Sequence, residues 1–293
     1  MKYGIYYAYW AKSWGVDYHP YIDKAADLGY DILEISCAGL KDLDADTLKS
    51  LHAHAQERGV ILTGGYGPKP EESISSGDPA VVENGFRFWT GTFRALEALG
   101  ITSVGGGLYG YWPANYFQPF DKEAEIARSI QNMKKLADLA ADHGITTLGM
   151  EVLNRHEGFM LNSAKEAVAY CEAVDKANVK IHLDTYHMLL EEDSFADAIH
   201  TAGKRLGHFH VGENNRKLPG QGHVINWDEI GQALRDVQYD GNIVAEPFVL
   251  HGGEVGRDVR LWRDLFPGVT EETLDHDAAE SVQFLRNKFE RKT

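Results

Sequence analysis

The chain has 293 residues, 43% of them hydrophobic and 25% charged, which is typical of a soluble globular protein and is long enough for one large domain or two. Its 29 basic and 44 acidic side chains give a formal net charge of −15, which argues against nucleic acid as a partner and is compatible with a small neutral substrate. No apolar run approaches the roughly 18 residues that a transmembrane helix needs, and the first residues lack the apolar region of a signal peptide, so we expect a cytoplasmic protein with no membrane partner.

Strand and helix patterns alternate along the chain, in the order expected of a parallel sheet. The predicted strands span residues 2–7, 31–35, 60–63, 103–106, 146–151, 180–184, 206–210 and 243–246. The predicted helices span residues 20–28, 45–58, 79–99, 122–143, 163–176, 194–202, 227–237 and 273–289. Eight strands that are each followed by a helix predict an α/β fold, a single (β/α)8 TIM barrel over residues 1–293, with the active site at the C-terminal face of the strands.

Four side chains that can bind metal lie where predicted strands end: Glu151, Asp184, His210 and Glu246. In a parallel barrel these strand ends converge on one face. Three carboxylates and one imidazole are ligands that suit Mn²⁺, Co²⁺ or Mg²⁺. They do not resemble the thiolate ligands of a closed structural zinc site. Each acid taken alone could equally cap a helix or form an ion pair. Their shared position at strand ends favours a metal site.

A glycine-rich segment, Gly105–Gly110, formally matches the G-x-G-x-x-G pattern of dinucleotide-binding sites. That pattern works only where a helix N-terminus follows and faces the pyrophosphate. Here Tyr111, Trp112 and Pro113 follow, which breaks any helix. We therefore expect no nucleotide cofactor, and we interpret the glycines as allowing the backbone to pass close to a ligand or a neighbouring strand.

Other residues near strand ends are candidates for substrate contacts. His187 lies just beyond Asp184, Glu157 lies beyond Glu151, and Arg216 follows His210 in a polar loop. Glu157 could instead pair with Arg155, and a lone loop arginine is usually solvated. Among the many aromatic residues near strand ends, we expect three to line the pocket: Tyr6, Tyr66 and Trp112.

Sequence motifs for other chemistries are absent. There is no G-x-S-x-G elbow, Walker A loop or H-E-x-x-H helix, so hydrolysis through a nucleophile has no support. Cys37 and Cys171 form no metal or redox motif, and we expect both to be reduced. His208 shares a strand face with His210, and we expect it to lie deeper in the core as a hydrogen-bonded histidine.

Several segments resemble the D-psicose (D-allulose) and D-tagatose 3-epimerases, nearly end to end. They are residues 4–10, 151–155, 183–185, 187–188, 191–194, 207–210, 246–249, 259 and 262–264. The resemblance implies an enzyme of the sugar phosphate isomerase/epimerase TIM-barrel superfamily. It also implies one divalent ion per subunit, Mn²⁺ or Co²⁺ with Mg²⁺ possible, and a homodimer or homotetramer.

The resemblance also carries residue roles onto matching positions. It implies that Glu151, Asp184, His210 and Glu246 bind the metal. It implies that Glu157, His187 and Arg216 contact the substrate, with Tyr6 and Trp112 on the pocket wall. The chain departs from many relatives at His156, Gly158 and Tyr186, and Tyr66 lies where relatives vary. These positions are near the pocket, so the preferred ketose stays open.

The implied reaction is metal-dependent epimerisation of free ketohexoses at C3, from D-fructose to D-psicose or from D-tagatose to D-sorbose. Inversion of C3 requires a proton to leave one face and another to arrive at the opposite face of a cis-enediolate. Glu151 and Glu246 come from strands on different sides of the barrel mouth, so we expect them to be the acid/base pair.

Three alternatives use the same fold or site. An aldose–ketose isomerase would move hydride between C1 and C2, typically with two metals and more carboxylates than this chain offers. A metal-dependent abasic-site endonuclease would need three metals and a basic groove, against which the net charge argues. A non-catalytic sugar-binding protein would bind a ketose without converting it.

Overall fold

The computed structural model describes residues 1–290, in which eight parallel strands form a closed barrel. The strands follow chain order around it: β1 (Lys2–Tyr6), β2 (Ile32–Ser36), β3 (Ile61–Gly65), β4 (Ser103–Gly106), β5 (Thr147–Glu151), β6 (Val179–Asp184), β7 (Leu206–Val211) and β8 (Asn242–Ala245). The last strand pairs with the first and closes the ring. The predicted fold class is confirmed. The prediction that residues 1–293 form a single domain stays a prediction. The last three of these residues lie outside the described part of the chain.

Helices connect the strands and cover the outside of the barrel. They are α1 (His19–Asp27), α2 (Ala45–Arg58), α3 (Pro79–Leu99), α4 (Lys122–Asp142), α5 (Ala164–Val174), α6 (Thr185–Glu191), α7 (Phe195–Ala202), α8 (Trp227–Asp236), α9 (Gly253–Asp258) and α10 (Glu271–Phe289). Short 3₁₀ turns span Tyr7–Tyr9, Leu40–Asp42, Pro70–Glu72 and Gly203–Arg205. No helix among residues 1–290 combines the length and the apolar character needed to cross a membrane.

Most of these helices begin and end within a few residues of the predicted bounds, but α6 and α9 were not predicted. The seven-residue helix α6 starts on the residue after β6, so no loop separates the two elements. The carboxylate of Asp184 caps it by accepting a hydrogen bond from the backbone N–H of Tyr186 at 2.8 Å. Because a strand residue serves as the cap, the usual sequence signal for a helix start is missing.

The strands are buried on both faces, since helices pack outside them and side chains fill the barrel. All five residues of β2 are buried, including one carboxylate, Glu34. Glu34 lies in register with Tyr6 of β1 and Thr63 of β3. Its carboxylate reaches histidines of β7, which is not a neighbour of β2, so these contacts cross the interior of the barrel. A polar layer therefore lies inside an otherwise apolar core.

Candidate active site and metal centre

Four side chains from four strand ends come together at one mouth of the barrel. Glu151 and Asp184 end β5 and β6, His210 is the penultimate residue of β7, and Glu246 directly follows β8. One oxygen or nitrogen atom from each residue lies within 4.8 Å of the others. The first three residues are buried and Glu246 is half-buried. The structure thus brings together all four residues that the sequence nominated as metal ligands.

The imidazole of His210 has one occupied and one free nitrogen. Its Nε2 lies 2.7 Å from Oε1 of Glu34. Its Nδ1 is buried, has no hydrogen-bond partner among the described residues, and lies 3.6 Å from Oε1 of Glu246. A buried nitrogen that faces carboxylates without a hydrogen bond fits a metal ligand, because an unsatisfied polar atom is costly. The site can therefore hold a divalent ion.

Arg216 lies beside this cluster with a buried guanidinium. Its Nη1 is 2.6 Å from Oε2 of Glu246 and 3.1 Å from Oδ2 of Asp184. The guanidinium also stacks on the ring of Tyr186, with Cζ 3.7 Å from the ring centroid. The alternative considered from the sequence, a solvated loop arginine, is wrong, because Arg216 is buried. The guanidinium offsets part of the negative charge that three carboxylates would otherwise concentrate in one place.

His187 projects from the first turn of α6 towards the same cluster. The backbone N–H of Asn154 donates to Nδ1 of His187 at 3.1 Å. The side-chain nitrogen Nδ2 of Asn154 lies 2.8 Å from the same Nδ1. Because Nδ1 accepts a hydrogen bond, the neutral ring carries its proton on Nε2. Nε2 lies 3.5 Å from Oε1 of Glu151. His187 can therefore donate a hydrogen bond into the cavity.

Glu157 and Trp112 form a second polar pair at the wall. The indole N–H of Trp112 donates to Oε2 of Glu157 at 2.9 Å. Oε1 of Glu157 lies 3.7 Å from a guanidinium nitrogen of Arg216. Arg155, the partner considered for Glu157 from the sequence, instead binds Glu191 through two nitrogens at 2.8 and 2.9 Å.

A cavity of about 550 Å³ opens above the cluster. Nine residues were nominated from the sequence for metal, acid/base or substrate roles, and eight of them line the cavity; Asp184 does not. The lining also includes large apolar and aromatic side chains: Tyr6, Trp14, Tyr66, Trp112, Leu153 and Phe248. A cavity lined by both aromatic side chains and a cluster of polar groups suits a small molecule with hydroxyl groups.

The two glutamates of the cluster have opposite pKa shifts. Burial raises the pKa of Glu151, and the negative charge of Glu246 adds to this effect, while a hydrogen bond from His187 opposes it. Burial also acts to raise the pKa of Glu246, but the positive charges of His210 and Arg216 outweigh it and lower that pKa. Carboxyl groups whose environments push their pKa values apart are typical of acid/base pairs.

The positions that depart from many relatives lie around the cavity in different ways. Tyr66 lines it, while its ring stacks on Phe88 and its hydroxyl donates to Glu72 at 2.6 Å. Gly158 packs on Leu153 so closely that an added Cβ would lie 3.0 Å from Cδ1 of Leu153. Tyr186 lies under the Arg216 guanidinium, and the backbone carbonyl of His156 accepts a hydrogen bond from Arg260.

Two residues that support the site were not nominated from the sequence. Asn154 orients His187, and Glu34 contacts His210 from the far side of the barrel. The sequence did contain one signal for Glu34: it is an acidic residue within the otherwise apolar second strand. His208 is buried as expected, but neither of its ring nitrogens has a hydrogen-bond partner among the described residues; its Nε2 lies 3.0 Å from Oε2 of Glu34.

Comparison with known proteins identifies the family. Residues 22–288 match the family model described as a xylose isomerase-like TIM barrel. The chain is 46% identical to the D-psicose 3-epimerase of Enterocloster bolteae over 99% of this chain and 96% of that protein. The chain belongs to the ketose 3-epimerase family. Two crystal structures of D-psicose 3-epimerases support this assignment.

One of these ketose 3-epimerase structures, determined in the presence of D-fructose, has a TM-score of 0.96, 45% identity and 99% coverage of both chains. The other, from Clostridium cellulolyticum with D-tagatose, has a TM-score of 0.97, 44% identity and 99% coverage of both chains. The family, the barrel fold and the enzyme class expected from the sequence are thereby confirmed.

Proposed function

We propose that this ketose 3-epimerase inverts C3 of free ketohexoses, converting D-fructose to D-psicose or D-tagatose to D-sorbose. The relatives named D-psicose 3-epimerases support this substrate class, and so do the structures determined with D-fructose and D-tagatose. The cavity supports it as well, because its lining combines clustered polar side chains with aromatic and apolar ones. Which ketose is preferred would depend on the lining of the cavity, to which Tyr66 contributes directly and Gly158 through its contact with Leu153.

One divalent ion would be held by Glu151, Asp184, His210 and Glu246. The free Nδ1 of His210 and the three converging carboxylates support this assignment. Mn²⁺ or Co²⁺ suits such a mixed oxygen and nitrogen donor set, with Mg²⁺ as a third candidate. When bound, the ion would act as a Lewis acid for the negative charge that develops on the ketose oxygens.

Glu151 and Glu246 are the proposed acid/base pair. They come from β5 and β8, three strands apart around the barrel, yet donor atoms of both lie within 4.8 Å of each other. A sugar carbon bound between them would have one carboxylate on each face. One removes the C3 proton, and the other delivers a proton to the opposite face of the planar cis-enediolate. Each such group contributes about 10²–10⁴-fold to the rate.

The remaining polar residues would bind and orient the ketose. His187 offers an N–H, and Arg216 offers a guanidinium already aligned with Asp184 and Glu246. Glu157, held by Trp112, would accept hydrogen bonds from sugar hydroxyls. Tyr6 and Trp112 would pack against the C–H faces of the sugar. Orientation of this kind lowers the barrier by fixing the reacting carbon between the two glutamates.

The convergence of the two glutamates carries the proposal, and Glu246→Gln tests it. The amide keeps the size of the side chain and an oxygen ligand but cannot take up a proton. We expect the variant to fold and bind Mn²⁺ while losing nearly all conversion of D-fructose. Glu83→Gln, on the exposed surface of α3, is the matched control and should convert D-fructose normally. Near-normal turnover by E246Q would refute the two-base assignment.

Incubation of D-fructose with the Mn²⁺-loaded enzyme in D₂O separates the candidate reactions. Epimerisation exchanges the C3 proton with solvent, so D-psicose should form with deuterium at C3. Unlabelled glucose would instead indicate a hydride shift and an aldose–ketose isomerase. No new sugar and no label would indicate a binding protein.

The assembly and its location are part of the same proposal. A homodimer or homotetramer and a cytoplasmic location are what the family resemblance and the sequence predict. Size-exclusion chromatography with light scattering measures the first of these directly.

A further inference from the structure

Glu34 is a buried carboxylate that the proposed reaction does not use. It lies in the middle of β2 and is 0% exposed. Oε1 lies 2.7 Å from Nε2 of His210, and Oε2 lies 3.0 Å from Nε2 of His208. The hydroxyl of Thr63 on β3 donates to Oε2 at 2.9 Å. A buried ionised carboxylate needs donors that compensate its desolvation; Thr63 supplies one, and His210, at hydrogen-bond distance, can supply another to an ionised Glu34.

These contacts decide which nitrogen of His210 is available to an ion. An ionised carboxylate only accepts hydrogen bonds, so Nε2 of His210 must carry the proton that it donates to Glu34. The lone pair of the neutral ring is then on Nδ1, which faces Glu246 at 3.6 Å. The opposite tautomer would place two acceptors against each other at 2.7 Å.

The ring of His210 is also held on its sides. The ring of His182 meets it edge to face, with centroids 4.1 Å apart, and the ring of His208 lies 4.9 Å away. Neither nitrogen of His182 has a hydrogen-bond partner among the described residues. His182 therefore packs as a neutral ring, and Glu34 is the charged partner that sets the direction of His210.

We propose that Glu34 is a positioning residue that fixes the tautomer and orientation of His210, so that Nδ1 is presented to the divalent ion. This inference rests on the proposed metal role of His210. Thr63 acts one step further away, because its hydroxyl donates to the carboxylate of Glu34. Partners that orient a metal-binding histidine in this way typically change metal affinity or activity by about 10–100-fold when removed.

The test is Mn²⁺ affinity, measured without any sugar. Protein treated with EDTA and dialysed is titrated with Mn²⁺, and free Mn²⁺ is followed by its EPR signal. Glu34→Gln keeps the size of the side chain but introduces an N–H₂ group that must face an imidazole. We expect its dissociation constant for Mn²⁺ to rise by about 10–100-fold. Thr63→Val, which leaves the carboxylate in place, should weaken binding less.

A control separates this effect from a general loss of stability. Val282 is fully buried on α10 and does not line the cavity. Val282→Ala should lower the thermal midpoint but leave Mn²⁺ affinity unchanged. Wild-type affinity in E34Q would overturn the proposal, as would an equal loss in V282A at matched stability. If circular dichroism shows that E34Q does not fold, T63V decides: weakened Mn²⁺ binding supports the proposal and unchanged binding overturns it.

The titration is independent of the proposed reaction. A wild-type protein that binds Mn²⁺ tightly but leaves D-fructose unlabelled in D₂O would refute the epimerase proposal and leave the role of Glu34 standing. Conversely, E34Q with normal Mn²⁺ affinity would remove the role of Glu34 and leave the epimerase proposal untouched.

Discussion

Asp184 shows how one side chain can serve both the fold and the site. Its Oδ1 caps α6 by accepting from the N–H of Tyr186, while Oδ2 lies 3.1 Å from Nη1 of Arg216. The expectation of a metal ligand and the alternative of a helix cap are therefore compatible at this residue. The cap fixes the carboxylate in one orientation, and it also sets the start of the helix that carries His187.

Trp112 allows the hydrogen bond to Glu157 to be tested on its own. Trp112→Phe keeps an aromatic wall but removes the indole donor 2.9 Å from Oε2 of Glu157. A hydrogen bond to a charged group contributes about 1.5–3 kcal/mol, so we expect kcat/KM for D-fructose to fall by at least about tenfold. Steady-state kinetics on the metal-loaded enzyme measures this.

Trp10→Phe is the matched control for that variant. Its indole also donates to a carboxylate, Asp275, at 2.8 Å, but the contact ties the start of the chain to α10. We expect W10F to lose stability and to keep the kinetics of the wild type. Equal kinetic effects in W112F and W10F would show that the Trp112 contact does not act through Glu157.

The sequence allowed the polar residues that cluster at the barrel mouth to be predicted, but not all the residues that support them. Glu151, Asp184, His210 and Glu246 could be nominated because each lies at a strand end, and strand ends follow from local patterns. Glu34 could not be assigned a partner, because its contact with His210 joins residues 176 positions apart. Only the closed barrel brings β2 opposite β7, and no local signal carries that pairing.

At the scale of elements, the glycine-rich end of β4 has a steric function. Gly106 has a φ of +127°, and an added Cβ would lie 2.0 Å from the carbonyl oxygen of Tyr66. The backbone directly after β3 therefore lies against the end of β4, where the N–H of Tyr66 also donates to the carbonyl of Gly105 at 3.0 Å. This close approach agrees with the interpretation of the glycines as room for the backbone, and the next helix, α4, begins only at Lys122.

Gly106→Ala tests this close approach. The side chain would clash with backbone and would also require a φ that alanine avoids, so we expect a loss of at least about 2 kcal/mol in the free energy of unfolding. Gly107→Ala is the control, because its Cβ would meet nothing closer than Leu153 Cδ1 at 3.8 Å. Urea unfolding of both variants measures the difference. A stable G106A would mean that Tyr66 can move away.

Helices α6 and α9 were missed for different reasons. In α6 the cap is the last residue of a strand, and its first turn contains Thr185, Tyr186 and His187, which are weak helix formers. Helix α9 has only six residues, Gly253–Asp258, and two of them are glycines, a composition that predicts a loop. Both follow barrel strands on the side of the cavity, where loop geometry is set by tertiary contacts and not by propensity.

At the scale of the whole molecule, the barrel could be predicted because its repeated strand–helix order leaves few alternative topologies. The closed ring places charges that are distant in sequence within a few ångströms. Three carboxylates and Arg216 then meet at one mouth, inside a chain whose net charge is already −15. Concentrated negative charge of this kind destabilises the fold unless cations balance it.

Removal of the metal should therefore lower the stability of the entire barrel. An ion that binds only the folded chain adds about 2.7 kcal/mol at a concentration one hundred times its dissociation constant. For a domain of this size we expect EDTA to lower the thermal midpoint by roughly 5 °C and Mn²⁺ or Co²⁺ to restore it. Differential scanning calorimetry measures the shift, with D184N as the control, because that variant should lose most of the response to Mn²⁺. A thermal midpoint that EDTA and Mn²⁺ leave unchanged would show that the four side chains hold no ion under these conditions.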